Sequence, residues 1–158
     1  MAKASKRDHS PSHHAFLLEE GEWTADGTYW EPNGGAKSMR GRARIIHRSD
    51  LWINESETVV EGSEEEERFE NRYEVQPLTP GDWSTTWIAE NPSLGRMRGT
   101  FSFVGDAILS AYESEDGRAV GHECLWAAED GSYEDRGVLF VDGELASRWS
   151  VKLERSKA

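Results

Sequence analysis

Short stretches of alternating apolar and polar residues, separated by turn sequences, run along the chain from about residue 21 to its end. Because successive side chains of a β-strand point to opposite faces, this alternation predicts strands with one dry face and one wet face. Strands at short, regular spacing are typical of an antiparallel sandwich or barrel. About ten strands are predicted between these turns: EPNGG (31–35), SD (49–50), EGSEEEE (61–67), PLTPGD (77–82), NPSLG (91–95), GD (105–106), EDG (115–117), EDG (129–131) and DG (142–143).

No long amphipathic helix is predicted that would cover the second face of a sheet, so the wet faces must meet solvent directly. A sandwich or one sheet closed on itself satisfies this condition. The hairpins follow one another without a long crossover, which favours the closed form. The prediction is an all-β fold with a single antiparallel up-and-down β-barrel of about ten strands and a short N-terminal capping helix over residues 15–20. Residues 1–14 are predicted to be a disordered tail and residues 15–158 one domain.

One hairpin has a register that the charges predict. If residues 38–48 fold back on residues 51–60, Arg42 lies opposite Glu57 and His47 lies opposite Trp52. A shift by one residue would turn the Arg/Glu ladder inward, so the ladder fixes the register. The hairpin therefore predicts that the ladder faces outward and that His47, Trp52 and Asn54 face the interior.

The balance of charges argues against two classes of partner. The chain carries 30 Asp and Glu against 18 Lys and Arg, a formal net charge of −12. Phosphate backbones and anionic lipids repel such a surface, so neither nucleic acid nor a membrane is expected as a partner. Cys124 is the only cysteine, which excludes an intrachain disulfide and a Cys-based zinc site. No apolar run has the length of a signal-peptide core or a membrane span, so we expect a cytoplasmic protein.

A family resemblance rests on the start of the predicted meander. The segment FLLEEGEW (16–23), a short apolar stretch that runs into Gly-x-Trp, resembles the start of calycin-type barrels, which include lipocalins, fatty-acid-binding proteins and haem-binding nitrobindins. Residues 21–41 and 51–62 are similar to an uncharacterised bacterial group of lipocalin-like proteins. The resemblance covers roughly residues 15–155. It implies that Trp23 packs at the closed end under a basic residue of the last strand, for which Arg148 and Arg155 are the candidates.

The resemblance also bears on haem. Nitrobindin-like proteins hold haem through a histidine near the end of the chain. Here the last histidine is His122, and residues 144–158 contain none. This difference argues against haem, and no other cofactor is expected.

The remaining reactive side chains do not form a catalytic set. His122 and Cys124 share a strand face, but alternate side chains of a strand stand about 7 Å apart, too far for a direct hydrogen bond. His47 and His122 are both assigned to inner faces, where two histidines and a carboxylate would suit iron or zinc. No inward Asp or Glu is identified beside them, so no metal site is expected and both histidines are interpreted as polar lining.

Seven tryptophans are the more informative feature. Trp83 and Trp87 are predicted to share a face, and Trp52, Trp126 and Trp149 are each assigned to an inner face. Such residues fill the core of a sandwich, whereas a barrel of about ten strands is wide enough to keep a cavity. Aromatic walls with a few polar groups describe a site for a small hydrophobic or amphipathic molecule. The predicted ligand-binding residues are His47, Trp52, Asn54, Tyr73, Trp87, His122 and Trp126.

Two other functions remain open. The barrel would be an isomerase- or cyclase-type enzyme if it confined a reactive substrate against one acid or base. It would be an interaction module if side chains filled the interior and the region of Leu109 and Tyr112 mediated self-association, for example as a homodimer. Because no catalytic set is visible, the sequence favours binding over catalysis.

Overall fold

The computed structural model describes residues 11–62 and 66–156. A single 3₁₀ turn, Pro11–His13, precedes ten strands: β1 (Gly21–Trp30), β2 (Ala36–His47), β3 (Trp52–Glu61), β4 (Glu66–Val75), β5 (Ser84–Asn91), β6 (Gly95–Val104), β7 (Ala107–Ser114), β8 (Ala119–Ala127), β9 (Tyr133–Val141) and β10 (Glu144–Arg155). Each strand pairs antiparallel with the next one along the chain, and β1 also pairs with β10, which closes the sheet into a barrel. The predicted up-and-down barrel of about ten strands is confirmed.

The predicted register of the hairpin formed by β2 and β3 is confirmed in every pair tested. Arg42 lies opposite Glu57, and His47 lies opposite Trp52. The side chain of Arg42 is exposed, and Glu57 forms an ion pair with Arg68 of β4 on the outer surface. Charged residues at these positions cannot be buried cheaply, which is why they fix the register of the hairpin.

The predicted capping helix over residues 15–20 is wrong. These residues form a turn with one helix-like hydrogen bond, in which the Glu19 amide donates to the Ala15 carbonyl over 3.2 Å. Leu17 has a φ angle of 71°, a left-handed conformation that a right-handed helix does not contain. Its side chain has no exposed surface, so its packing stabilises the turn against the backbone strain. Phe16 and Leu17 are buried at the closed end of the barrel, where this turn forms a lid. The segment therefore caps the barrel, but as a turn and not as a helix.

His14 packs into the closed end of the barrel. Its ring is buried, with Nδ1 2.9 Å from the Tyr133 hydroxyl and Nε2 2.8 Å from the Gly105 carbonyl oxygen. Because a carbonyl only accepts, Nε2 carries the proton, and Nδ1 accepts from Tyr133 in the neutral ring. His14 is therefore part of the closed end of the barrel, and residues 1–10 of the predicted tail lie outside the described residues.

Trp23 is the centre of the closed end. Its ring packs edge-on against Phe16 and Tyr133, at centroid distances of 5.3 and 5.7 Å. The Arg155 guanidinium lies 5.9 Å from the centroid of the same ring and donates 2.7 Å hydrogen bonds to the Glu20 carbonyl and the Glu19 carboxylate. The basic residue that the resemblance implies is therefore Arg155.

The other candidate base has a separate position. The Arg148 guanidinium lies over Trp30, 5.9 Å from the ring centroid.

In the described part of the chain, no helix is long and apolar enough to cross a bilayer.

We expect Arg155→Gln to lower the free energy of unfolding by about 1–2 kcal/mol, because it removes a cation–π contact and two charge-assisted hydrogen bonds. Chemical denaturation measures this loss. The matched control is Lys152→Gln, which removes one positive charge from the exposed face of the same strand. An equal effect of the two substitutions would contradict the structural role of Arg155.

The buried ring of His14 should make the free energy of unfolding depend on pH. Burial lowers the pKa of this ring below 6.5, so the unfolded chain binds the proton more readily than the folded one. The stability of the wild type should therefore fall, relative to His14→Phe, as the pH decreases through about 6.5. Urea denaturation of both proteins from pH 8 to pH 5 tests this, and a constant difference between them would refute it.

Candidate ligand-binding cavity

The barrel is hollow. It encloses a cavity of about 380 Å³, within the ~300–1,000 Å³ range of small-molecule sites, and all ten strands contribute to its wall. Phe16 lies at its closed end. The lining is mainly apolar and aromatic, with polar groups that include Asn54, Asn71, Ser110 and Ser147.

Three glycines keep aromatic rings against the wall. Gly99 lies opposite Trp87, Gly121 opposite Tyr112 and Gly137 opposite Trp149 in neighbouring strands. A Cβ atom on these glycines would lie 2.5, 2.1 and 2.0 Å from the facing ring, respectively, closer than any side chain tolerates. Each ring therefore occupies the space that a side chain on the opposite strand would fill. The rings line the cavity instead of crossing it.

An aromatic cluster surrounds Trp87. The centroid of its ring lies 5.0 Å from Tyr73 and 5.6 Å from Tyr112, and its indole N–H donates to the Ser110 hydroxyl over 3.4 Å. Burial, and then the negative charge of Glu123, raises the pKa of both tyrosines. Their hydroxyl groups remain protonated and available as donors.

Two carboxyl groups lie inside the barrel on adjacent strands, Glu123 on β8 and Asp135 on β9. Glu123 is opposite Gly137 and Asp135 is opposite Leu125, so the two side chains are diagonal neighbours on the inner face. Burial raises the pKa of Glu123. Burial and the charge of Glu123 raise the pKa of Asp135 well above its usual range. The pair therefore holds a proton at pH values at which exposed carboxyl groups are ionised.

Two oxygen atoms that face this cavity lack a hydrogen-bond partner within the part of the chain that the structure describes. They are Oδ1 of Asn54 and Oδ1 of Asp135, and each residue is only 8 % exposed. An unsatisfied buried acceptor costs about 1–3 kcal/mol. Both atoms are therefore available to accept hydrogen bonds from a bound molecule.

Three of the seven predicted ligand-binding residues line the cavity: Asn54, Tyr73 and Trp87. His47 and Trp52 lie at the closed end, where their rings stack at 4.2 Å and His47 Nε2 donates to the Leu17 carbonyl over 2.8 Å. They support the lid and are not among the residues that line the cavity.

The inward assignment of His122 and Trp126 is wrong. Both side chains are exposed on the outer surface, Trp126 by 58 %. Trp83, predicted to share a face with Trp87, is also exposed and precedes β5, whereas Trp87 is buried. The predicted inward position of Trp149 is confirmed, since it lines the cavity.

The carboxyl pair was missed because the wrong face of β8 was assigned to the interior. Val120 and Trp126 are apolar and point outward, whereas Gly121 and Glu123 point inward. The signal that identifies the correct face is the alternation of β6, in which Met97, Gly99, Phe101 and Phe103 share one face and charged or polar residues share the other. Because directly opposed residues share a face, Gly99 of β6 places Tyr112 inside, and Tyr112 in turn places Gly121 inside.

A metal centre has no support in the described residues. Over residues 11–62 and 66–156, no three side chains of His, Cys, Asp or Glu are grouped so that they would hold an ion. His122 and Cys124 lie on the outer face, away from the cavity.

Comparison with known proteins identifies the fold. No protein-family model matches the sequence, and no curated protein is significantly similar to it. The S-type phycobiliprotein lyase CPES from Guillardia theta superposes with a TM-score of 0.60 at 8 % identity, over 89 % of this chain and 90 % of that one. Rv2717c from M. tuberculosis superposes with a TM-score of 0.62 at 14 % identity, over 95 % of this chain and 100 % of that one.

The fold is a calycin-like barrel. The resemblance of the Gly-x-Trp segment is therefore confirmed at the level of fold.

We expect Asp135→Asn to stabilise the protein at neutral pH by more than about 1 kcal/mol, because the wild-type carboxyl group loses its proton less readily in the folded state than in the unfolded one. The gain should appear as the pH rises above about 3.8 and should be absent below it. Denaturation at pH 3.5 and pH 7.5 measures the difference. Glu134→Gln, at the neighbouring outward position, is the control, and an equal gain there would contradict the assignment to Asp135.

Proposed function

We propose that the protein binds a small, largely apolar molecule inside the calycin-like barrel. The observation that carries this proposal is the set of three aromatic–glycine pairs, which leave a cavity of about 380 Å³ where side chains would otherwise meet. An interior built in this way loses packing contacts that a filled core would keep. The arrangement therefore supports a hollow barrel over the alternative of a barrel filled by side chains.

The ligand-binding residues that we propose are Asn54, Tyr73 and Trp87, with Tyr112 and Trp149 as further aromatic walls. Trp87 is in contact with both tyrosines, so a flat apolar molecule would meet several ring surfaces. The polar groups are few and placed at separate points of the wall. They would orient a ligand whose affinity comes mainly from apolar burial.

A ligand would enter at the end opposite Trp23. Phe69 lines the cavity and is still 38 % exposed, which places it at the mouth. The ladder between β4 and β5 runs only from Arg72 to Val75. Next to Arg72, where this ladder ends, the two strands are joined by a 3.4 Å hydrogen bond from the Asn91 side chain to the Asn71 side chain. Both residues line the cavity. Because this ladder is short, the rim between β4 and β5 can change its shape.

An enzyme is the second candidate, and one observation favours it. A carboxyl group that keeps its proton in an apolar cavity is suited to act as a general acid, and Glu123 and Asp135 provide such a pair. One protein of the same fold is named a phycobiliprotein lyase, so the fold is compatible with catalysis. An isomerase- or cyclase-type reaction would use this pair and not His47 or His122, which do not line the cavity.

The membership in a bacterial lipocalin-like group, the cytoplasmic location and the possible homodimer remain predictions. Of the two residues predicted to mediate self-association, Leu109 is exposed, next to the exposed Trp126, whereas Tyr112 lines the cavity, so its assignment to that surface is wrong.

The binding function can be tested with N-phenyl-1-naphthylamine, a neutral probe whose fluorescence rises in apolar sites. We expect saturable binding to the wild type. The affinity of Ser56→Phe should be weaker by roughly tenfold or more, because Ser56 lines the cavity and a phenyl ring would occupy it. Ser38→Phe is the matched control, because Ser38 is exposed on the outer surface of β2. Absence of binding to the wild type, or equal loss in both variants, would refute the proposal.

A further inference from the structure

The charged groups inside the cavity are acidic. Among the described residues that line it, Glu123 and Asp135 carry carboxyl groups, and the one basic residue, Arg42, has an exposed side chain on β2. A negative carboxylate inside an apolar wall repels anionic ligands and attracts cations, because the low dielectric strengthens the interaction. The net charge of −12 acts in the same direction at long range.

The two cavity-lining oxygen atoms without a hydrogen-bond partner among the described residues are both acceptors. Oδ1 of Asp135 and Oδ1 of Asn54 are buried, line the cavity and have no partner among the described residues. Both atoms accept hydrogen bonds, so they are complementary to N–H or O–H groups of a ligand. The Asn54 oxygen is independent of the carboxyl pair, since it lies on β3 and the pair lies on β8 and β9.

The rings beside the carboxyl pair complete the environment. Tyr73 and Tyr112 are close enough to Glu123 and Asp135 that these negative charges act on both phenols, and both rings contact Trp87. The faces of Trp and Tyr rings attract a positive charge, and by up to about 2 kcal/mol once it is desolvated. Carboxylate and aromatic surfaces together form an environment for a desolvated cation.

We propose that the ligand is an organic cation, a protonated amine on an apolar body, with its nitrogen at Glu123 and Asp135 and its body against Trp87 and the two tyrosines. This inference rests on the binding function proposed above and specifies its ligand. The unpartnered oxygen of Asp135 accepts an N–H of the ammonium group. The oxygen of Asn54 accepts a second donor of the ligand.

Binding of the cation is expected to release protons from the pair. Burial raises the pKa of both carboxyl groups in the free protein, and a neighbouring ammonium lowers it again because it favours the ionised form. The titratable groups in electrostatic contact with the pair are Tyr73 from β4, Tyr112 from β7 and Cys124 from β8, and Trp149 from β10 adds an indole N–H. The affinity for an amine should therefore rise with pH until the amine itself loses its proton.

Three probes with one naphthalene body separate charge from shape: 1-naphthylmethylamine is a cation, 1-naphthalenemethanol is neutral and 1-naphthoate is an anion at pH 7.5. Isothermal titration calorimetry of the full chain should show the amine binding at least about tenfold more tightly than the alcohol, and the anion most weakly. In buffers of different ionisation enthalpy, the observed heat for the amine should change, whereas that for the alcohol should not.

Glu123→Gln and Asp135→Asn should each weaken amine binding by roughly tenfold or more and change alcohol binding by less than about threefold. Glu134→Gln is the matched control and should leave both affinities unchanged. Since Asp135→Asn is expected to raise stability, lost amine binding in that variant is not a sign of unfolding.

The outcomes distinguish this inference from the binding function. Equal affinity for amine and alcohol, or amine binding that both substitutions leave intact, would overturn the cationic ligand and leave cavity binding in place. Failure of all three probes and of N-phenyl-1-naphthylamine would overturn both.

Discussion

Gly99, Gly121 and Gly137 each leave room for an aromatic ring on the neighbouring strand, and the open interior depends on these contacts. A side chain at any of the three positions would push its ring toward the barrel axis. Ten strands enclose more space than their inward side chains fill here. Large side chains that met across the barrel would pack together and fill that space. The glycines therefore act on the cavity through the rings that they accommodate.

The closed end determines from which side the cavity is reached. Trp23, Phe16 and Tyr133 fill the lumen there, and Arg155 ties the N-terminal turn to the last strand. His14 adds two buried hydrogen bonds to the same end. Because apolar packing, a cation–π contact and buried hydrogen bonds all hold this lid, its opening would cost more than the motion of the opposite rim. Access at the rim near Phe69 follows from this difference.

Sequence reasoning succeeded where each strand had one charged and one apolar face. The register of β2 on β3 followed from Arg42 and Glu57, because burying either charge without a partner is costly. The role of Trp23 followed from its motif, but the choice of Arg155 over Arg148 depends on which end of β10 lies beside Trp23. The backbone of Leu17 was beyond prediction, since burial and not local propensity sets its positive φ.

The error in β8 has a different origin, which bears on function. Its outer face carries Val120 and Trp126, and its inner face carries Glu123 beside the buried Leu125, so apolar character alone does not identify the face that points inward. Burial of Glu123 beside Asp135 opposes folding at neutral pH, because both groups lose solvation and repel each other when ionised. Departures from local folding rules concentrate at functional sites. The carboxyl pair lies where this ambiguity occurs, and the cation that we propose would offset part of the stability that the pair costs by occupying the space between the pair and the rings around Trp87.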